Sequence, residues 1–114
     1  MRRIYKLLDR PTWEAALAQG VFRGSPVDLA DGFIHFSDAG QAQGTARRYF
    51  KDQADLLLIT FDADTLGAAL RWEASRGGAL FPHLYAPLAT SAAREVRAIG
   101  LDVDGVPELG PLEP

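Results

Sequence analysis

One continuous apolar segment constrains the fold more than any other feature of this 114-residue chain. The segment is Leu56-Leu57-Leu58-Ile59-Thr60-Phe61, and polar and apolar side chains do not alternate along it. A half-buried strand alternates, whereas an apolar run of this length is typical of a strand that is covered on both faces. The segment is far too short to cross a bilayer. We therefore predict a buried central strand here.

Helices and further strands are predicted around this segment. One helix begins near Pro11 and ends at Gly20, and a second spans about 40–51. Between them, residues 21–29 predict a turn-rich connection. Pro82 predicts an edge or bulged position for its strand, because proline donates no ladder hydrogen bond. We expect an α+β fold, a single compact domain with two N-terminal helices packed on a mixed or antiparallel β-sheet. The other predicted strands are 4–8, 33–37, 69–73, 80–85 and 93–102.

Composition narrows the function classes. With 12 basic and 15 acidic residues the net charge is −3, which does not fit a general nucleic-acid binder. The absence of cysteine excludes disulfides and a thiol nucleophile. The first residues lack the apolar run of a signal peptide, so we expect a cytoplasmic protein with no membrane partner. The length fits one domain, which we place at 1–106, followed by an irregular, proline-rich tail at 107–114.

The only two histidines each lie in a short aromatic and apolar segment. On a strand, His35 shares a face with Ser37, and His83 shares a face with Tyr85. Imidazole is the side chain whose charge changes near neutral pH. If the two segments are neighbours, both imidazoles line one cleft. We therefore predict His35 and His83 as catalytic residues, and Ser37 and Tyr85 as ligand-binding residues.

The segment between the histidines adds a carboxylate and a cation. Glu73 follows Trp72, and a carboxylate beside an indole suits binding of a ribose hydroxyl or general-base chemistry. Arg76 precedes Gly77-Gly78, where a forked guanidinium meets residues that allow close backbone approach, which suits phosphate capture. We predict Glu73 as a third catalytic residue, and Trp72 and Arg76 as ligand-binding residues.

Each of these residues also has a structural alternative. The His35 ring could bond a backbone carbonyl, and Ser37 could cap the following helix. Glu73 could form a salt bridge with Arg71 or Arg76, and Arg76 could be a solvated side chain beside a glycine turn. A metal site built on two histidines stays open, but no HxH or HExxH spacing supports it, so no metal is predicted.

Two sequence blocks together resemble a known family. The first is DLADGFIHFS at 28–37, and the second is LRWEASRGGALFPHLY at 70–85. They closely resemble the bacterial DUF952 family, a family of unknown function, and the resemblance covers about residues 3–100. It implies a fold similar to that of ADP-ribosyltransferases, with NAD as a cofactor by fold analogy.

The order of residues agrees with that implication. In small transferases of this class, a first strand precedes a helix that ends in glycine, a later strand carries serine or tyrosine, and a glutamate follows. Here the strand holds Lys6, the helix ends at Gly20, the later strand holds His35 and Ser37, and Glu73 is the candidate glutamate. Lys6 is a departure, since a histidine would hold the nicotinamide ribose at its position.

These observations give three hypotheses. The first is an ADP-ribosyltransferase-like enzyme that binds NAD, ADP-ribose or another phosphate-bearing nucleotide, with Glu73 polarising a hydroxyl. The second is a non-catalytic module that binds a small molecule in the same pocket. The third is a metal-dependent hydrolase that uses both imidazoles. The first two are favoured over the third, and neither implies a particular oligomeric state.

Overall fold

Antiparallel strand pairs organise the fold into three sheets. The computed structural model describes residues 1–114, except for the side chain of Arg76. In this part of the chain the sheets have the strand orders β4-β1-β5-β9, β3-β7-β6 and β2-β8, and every pair is antiparallel. The expected small α+β domain is therefore confirmed. The strands are β1 (Arg3–Asp9), β2 (Val21–Phe22), β3 (Ile34–His35), β4 (Ser37–Asp38), β5 (Leu56–Asp62), β6 (Leu70–Ala74), β7 (Leu80–Leu84), β8 (Leu88–Ala89) and β9 (Glu95–Ile99), and the helices are α1 (Arg10–Gln19), α2 (Pro26–Asp31) and α3 (Ala42–Tyr49).

The predicted central strand is confirmed as β5. It lies between β1 and β9, and all seven of its residues are buried. Leu57, Ile59 and Phe61 pack into one hydrophobic cluster, whereas Leu58 packs into a second cluster. An uninterrupted apolar run is needed here because both faces of the strand are covered.

The expectation of two N-terminal helices is wrong, because a third helix, α2, begins within the connection predicted at 21–29 and extends to Asp31. Its first turn is fixed by Asp28, whose Oδ2 accepts the backbone N–H of Ser25 at 2.8 Å. Pro26 suits the first helical position, where its missing N–H is not needed. Gly32 ends the helix at φ 85°, a conformation that glycine adopts readily. The serine and proline that suggested a loop are therefore the start signal of a helix.

The predicted strand at 33–37 is divided between two sheets at Phe36. The Phe36 N–H donates to Pro82 O at 3.0 Å, but Pro82 has no N–H to return the second bond of the pair. Pro82 therefore lies in the central strand β7 rather than at an edge, because its missing donor falls where β3 ends. The division leaves His35 and Ser37 in different sheets, on the wall of an open space.

The C-terminal residues pack against the domain without forming a regular element. The Leu109 side chain is fully buried. The Tyr5 hydroxyl donates to Glu113 O at 2.6 Å, and Arg97 donates to Leu109 O at the same distance. The longest helix, α1, has ten residues, and no helix in the described part of the chain is long and apolar enough to cross a bilayer.

Candidate functional site

An open cavity of about 600 Å³ is bounded by both larger sheets and by α2 and α3. This volume lies within the range of small-molecule sites. Polar side chains on its wall include Lys6, Asp28, Asp31, His35, Ser37, Thr45 and His83. Apolar and aromatic side chains on its wall include Leu7, Phe36, Ala42, Phe50, Leu58 and Phe81. The cavity thus offers hydrogen-bonding groups together with an apolar surface.

A buried ion pair holds α2 against β1. The Lys6 Nζ lies 3.1 and 3.2 Å from the two carboxylate oxygens of Asp28, and it also donates to His35 O at 2.7 Å. Asp28 is 1% exposed and Lys6 is 8% exposed, so water screens this pair only weakly. With hydrogen bonds to Asp28 Oδ1 and to His35 O, Lys6 is held as part of the wall.

The pKa values of the pair follow from burial and from these contacts. Burial lowers the pKa of Lys6, and the Asp28 carboxylate offsets part of that effect. Burial alone would raise the pKa of Asp28, but the hydrogen bond with His35, the charge of Lys6 and the backbone N–H groups of Ser25 and His35 outweigh it. The pKa of Asp28 is therefore held well below its ordinary value, which keeps the group ionised.

His35 is held between two carboxylates of α2. Its Nδ1 lies 2.6 Å from Asp28 Oδ1, and its Nε2 lies 2.8 Å from Asp31 Oδ2. An ionised carboxylate only accepts hydrogen bonds, and a neutral imidazole has a single N–H. Both bonds are satisfied only when both ring nitrogens carry protons. His35 thus links α2 to β3 by its contacts with two carboxylates.

His83 is held on one side only. Its Nδ1 lies 2.8 Å from Glu73 Oε1, and the same oxygen accepts the Tyr85 hydroxyl at 2.7 Å. The Nε2 of His83 has no hydrogen-bond partner among the described residues. Solvent reaches this nitrogen, since the described residues contain no buried side-chain nitrogen or oxygen without a partner. A neutral His83 that donates from Nδ1 to Glu73 presents a lone pair at Nε2 to the cavity.

An aromatic side chain covers the outer faces of both imidazoles. The Phe33 ring stacks on His83 with centroids 4.0 Å apart and an interplanar angle of 27°, and it lies 4.5 Å from the His35 ring. The two imidazole centroids are 5.7 Å apart, because His35 and His83 are paired across β3 and β7. Strand register therefore brings the two histidines together.

The structure brings some of the predicted site residues together and separates others. His35, Ser37 and His83 line the cavity, as predicted. Glu73 bonds to Nδ1 of His83 but is not itself among the residues that line the cavity. Tyr85 lies on a neighbouring groove, while Trp72 packs on the hydrophobic core under the Arg2 guanidinium, 3.7 Å from its ring. The prediction for the Arg76 side chain lies outside the described part of the structure.

The structural alternatives for His35 and Ser37 are not what the structure shows. The His35 ring contacts carboxylates rather than a backbone carbonyl. The hydroxyl of Ser37 is 2.7 Å from that of Thr45, and α3 begins later, after Gln41. Among the described residues, no group of three or more histidine, aspartate or glutamate side chains is placed to hold a metal ion.

Sequence reasoning missed the most connected residue of the site, Asp28. Its carboxylate contacts Lys6, Ser25 and both the ring and the backbone N–H of His35. One signal was available, because Ser25-Pro26-Val27-Asp28 has the spacing of a helix start in which the fourth residue accepts the first N–H. The contact with Lys6 carries no such local signal, since the two residues are 22 positions apart.

The lowered pKa of Asp28 predicts a pH-dependent contribution to stability. The unfolded chain takes up this proton at about pH 4, whereas the folded protein resists it to lower pH. The contribution is therefore complete above about pH 4 and is lost as the pH falls toward the folded pKa. We expect urea unfolding to show a stability gap between the natural protein and Asp28→Asn that narrows below about pH 4. A gap independent of pH would contradict this assignment.

Fold and site together define a small α+β domain with a cavity lined by two histidines. Residues 7–96 match the family described as Protein of unknown function (DUF952), and the chain belongs to this family. The chain is also similar to protein CC0527 from Caulobacter crescentus. The crystal structure of that protein is 57% identical, with a TM-score of 0.92 over 94% of each chain. Its solution NMR structure gives a TM-score of 0.87 at 57% identity, over 96% of this chain and 95% of that one. No curated protein matches the chain.

Proposed function

We propose that the cavity binds a nucleotide that carries ribose and phosphate, of the NAD or ADP-ribose class, and that His83 accepts a proton from a hydroxyl group there. The observation that carries the proposal is that His83 lines the cavity with Nδ1 held by Glu73, while its Nε2 has no hydrogen-bond partner among the described residues. A lone pair on a nearly buried imidazole needs a hydrogen-bond donor, which is water in the free protein and can be a ligand group in a complex. A ligand hydroxyl that donates to it satisfies this acceptor and places a general base at the hydroxyl.

The shape and lining of the cavity support a ligand of this class. Its volume of about 600 Å³ is large enough for a nucleotide. His83, Ser37 and Thr45 supply hydrogen-bonding groups, and Phe50 and Phe81 supply an aromatic surface suited to a base or a nicotinamide ring. A ligand with a polar and a flat apolar part would use both.

The chain order also supports an ADP-ribosyltransferase-like fold as part of the proposal. The elements follow the order that the resemblance implies, with Lys6 on β1, His35 on β3, Ser37 on β4 and Glu73 on β6. The chemistry departs from that class in two ways. Lys6, which stands where that class has a histidine, forms an ion pair with Asp28. Glu73 bonds to His83 instead of lining the cavity. We therefore assign the role of base to His83.

Ligand binding should depend on His83. We expect titration calorimetry to detect binding of NAD, ADP-ribose or a 2′-phosphorylated ribonucleotide, with at least about tenfold weaker affinity in His83→Phe. Phenylalanine keeps a ring to stack on Phe33 and removes both nitrogens. Val103→Ala, at a fully exposed position, is the control and should bind as the natural protein does. Absence of heat for all three ligands with folded protein would refute the proposal, and unchanged affinity in His83→Phe would refute the role of Nε2.

A non-catalytic binding module is a second candidate, favoured by the position of Glu73 outside the cavity. The fate of the ligand separates the two candidates. An enzyme of the transferase class releases nicotinamide from NAD, which chromatography detects, whereas a binding module returns NAD unchanged. For the binding module, Glu73→Gln should leave affinity nearly intact.

A further inference from the structure

We infer that Tyr85 is a positioning residue, which acts with Glu73 to keep the proton of His83 on Nδ1 and the unprotonated Nε2 toward the cavity. The use of that nitrogen rests on the proposed function, but the geometry can be tested without any ligand. The inference depends on a row of three polar side chains, Glu73, His83 and Tyr85, which lie next to one another on one face of the sheet formed by β6 and β7.

Strand register produces this row. Glu73 is paired with Phe81, and Arg71 is paired with His83. Side chains two positions apart point to the same side of a strand, so Phe81, His83 and Tyr85 share a face. Glu73 lies diagonally across from His83 on that face, within reach of a long side chain. Its Oε1 accepts from His83 Nδ1 at 2.8 Å and from the Tyr85 hydroxyl at 2.7 Å.

Charges around the row favour an ionised Glu73. The hydrogen bond from Tyr85, followed by the bond and charge of His83 and the charge of Arg71, lowers the pKa of Glu73. The Arg71 guanidinium lies 5.0 Å from the centre of the Tyr85 ring. An ionised carboxylate can only accept, so His83 must donate from Nδ1, and its neutral form then carries no proton on Nε2. A protonated Glu73 would remove that requirement.

Packing fixes the plane of the imidazole while the hydrogen bonds fix its tautomer. Phe33 stacks on His83 at 4.0 Å and lies 5.3 Å from Tyr85, and the His35 ring stands edge-on to His83. The ring of His83 is thus bounded by Phe33, His35 and Glu73. A ring flip would separate Nδ1 from its acceptor and turn Nε2 away from the cavity.

The exposure of Glu73 and Tyr85 argues against a purely structural role. The Glu73 side chain is 37% exposed and Tyr85 is 41% exposed, so water can replace either bond. Bonds of this kind add little to stability. Their main consequence is the orientation of the buried imidazole to which Glu73 is bonded.

The test is an NMR measurement of the two ring nitrogens of His83 in ¹⁵N-histidine-labelled protein near neutral pH. We expect a protonated Nδ1 and an unprotonated Nε2 in the natural protein. Tyr85→Phe should raise the population with a proton on Nε2 at least about threefold, and Glu73→Ala should raise it further. Loss of the tyrosine hydroxyl removes one of the two hydrogen bonds that hold Glu73 Oε1, so the carboxylate is less constrained to face Nδ1 of His83.

Two controls make the result specific. Tyr49→Phe removes a tyrosine hydroxyl that does not contact Glu73, and it should leave the His83 signals unchanged. The urea midpoint of Tyr85→Phe should match that of the natural protein, which separates positioning from destabilisation. If Glu73→Ala does not fold, Tyr85→Phe alone decides the matter.

The outcomes also separate this inference from the proposed function. Identical His83 signals in the natural protein and Tyr85→Phe would overturn the positioning role, even if nucleotides bind. A tautomer shift in a protein that binds none of the three nucleotides would support the positioning role and refute the proposed function instead.

Discussion

Replacing Asp28 with alanine is expected to lower the free energy of unfolding by about 3–5 kcal/mol, because it leaves the buried ammonium group of Lys6 without its carboxylate. The substitution also removes the acceptor for the backbone N–H groups of Ser25 and His35 and for the His35 ring. Each buried donor left without a partner adds to the cost. A small domain has a total stability of about 5–15 kcal/mol, so this single change removes a large share of it.

Urea unfolding at neutral pH measures the effect, and Asp31→Ala is the matched control. Asp31 lies on the same helix and bonds to the same imidazole, but its side chain is 47% exposed. We expect that control to cost at most about 1 kcal/mol, as for other exposed ion pairs. Equal losses in the two variants would show that burial of the Lys6 and Asp28 pair does not contribute as argued.

The partner substitution gives an independent check. Lys6→Met removes the ammonium group and leaves Asp28 with its backbone and imidazole donors. We therefore expect Lys6→Met to cost less than Asp28→Ala. The order follows from the number of groups that each substitution leaves unpaired.

The parts of the fold that could be predicted were those with a local signal. The run at 56–61 predicted β5, since a strand covered on both faces has to be apolar throughout. Gly20 predicted the end of α1, where the structure has a left-handed residue. The helix α2 was missed because its six residues are too few for a periodic pattern, and only the capping spacing at 25–28 marks it.

Long-range pairing was beyond prediction from one sequence. The segment 33–37 looks like one strand, yet its two halves join different sheets. The cause is Pro82, a residue 46 positions after Phe36, which interrupts the ladder at that point. The pairing of His35 with His83 depends on the same register. Without the register, the sequence shows two histidines that suit a site but does not show that they lie close together.

Residue type predicted the candidate site better than it predicted the roles within it. His35, Ser37 and His83 lie on the wall of one cavity. Glu73 was expected to face a ligand, but on β6 it faces His83 instead. Trp72 alternates with Glu73 along the strand and therefore packs on the core. Strand alternation alone predicts that Trp72 and Glu73 point to opposite faces of β6. It does not predict which of the two faces the histidines.

Leu109→Ala is expected to lower the free energy of unfolding by about 2–5 kcal/mol, the range for a leucine truncated in a packed core. Leu109 is fully buried although it lies in the tail that the sequence places outside the domain at 107–114. It belongs to the cluster formed by Tyr5 and Leu58. The backbone of Leu109 also binds the domain, because Leu109 O accepts a hydrogen bond from Arg97 and Leu109 N–H donates one to Gln43.

Urea unfolding of Leu109→Ala and of Val103→Ala tests whether these residues belong to the folding unit. Val103 is fully exposed only six positions earlier, and its truncation should change stability by no more than about 0.5 kcal/mol. A chain ending at residue 106 should lose at least as much stability as Leu109→Ala, since it also removes the acceptors of Tyr5 and Arg97. If Leu109→Ala and the shortened chain both unfold like the natural protein, the domain ends at 106 as the sequence predicts. A loss of stability in both variants would show that the domain includes the tail. The second face of β5 would then be covered in part by Leu109.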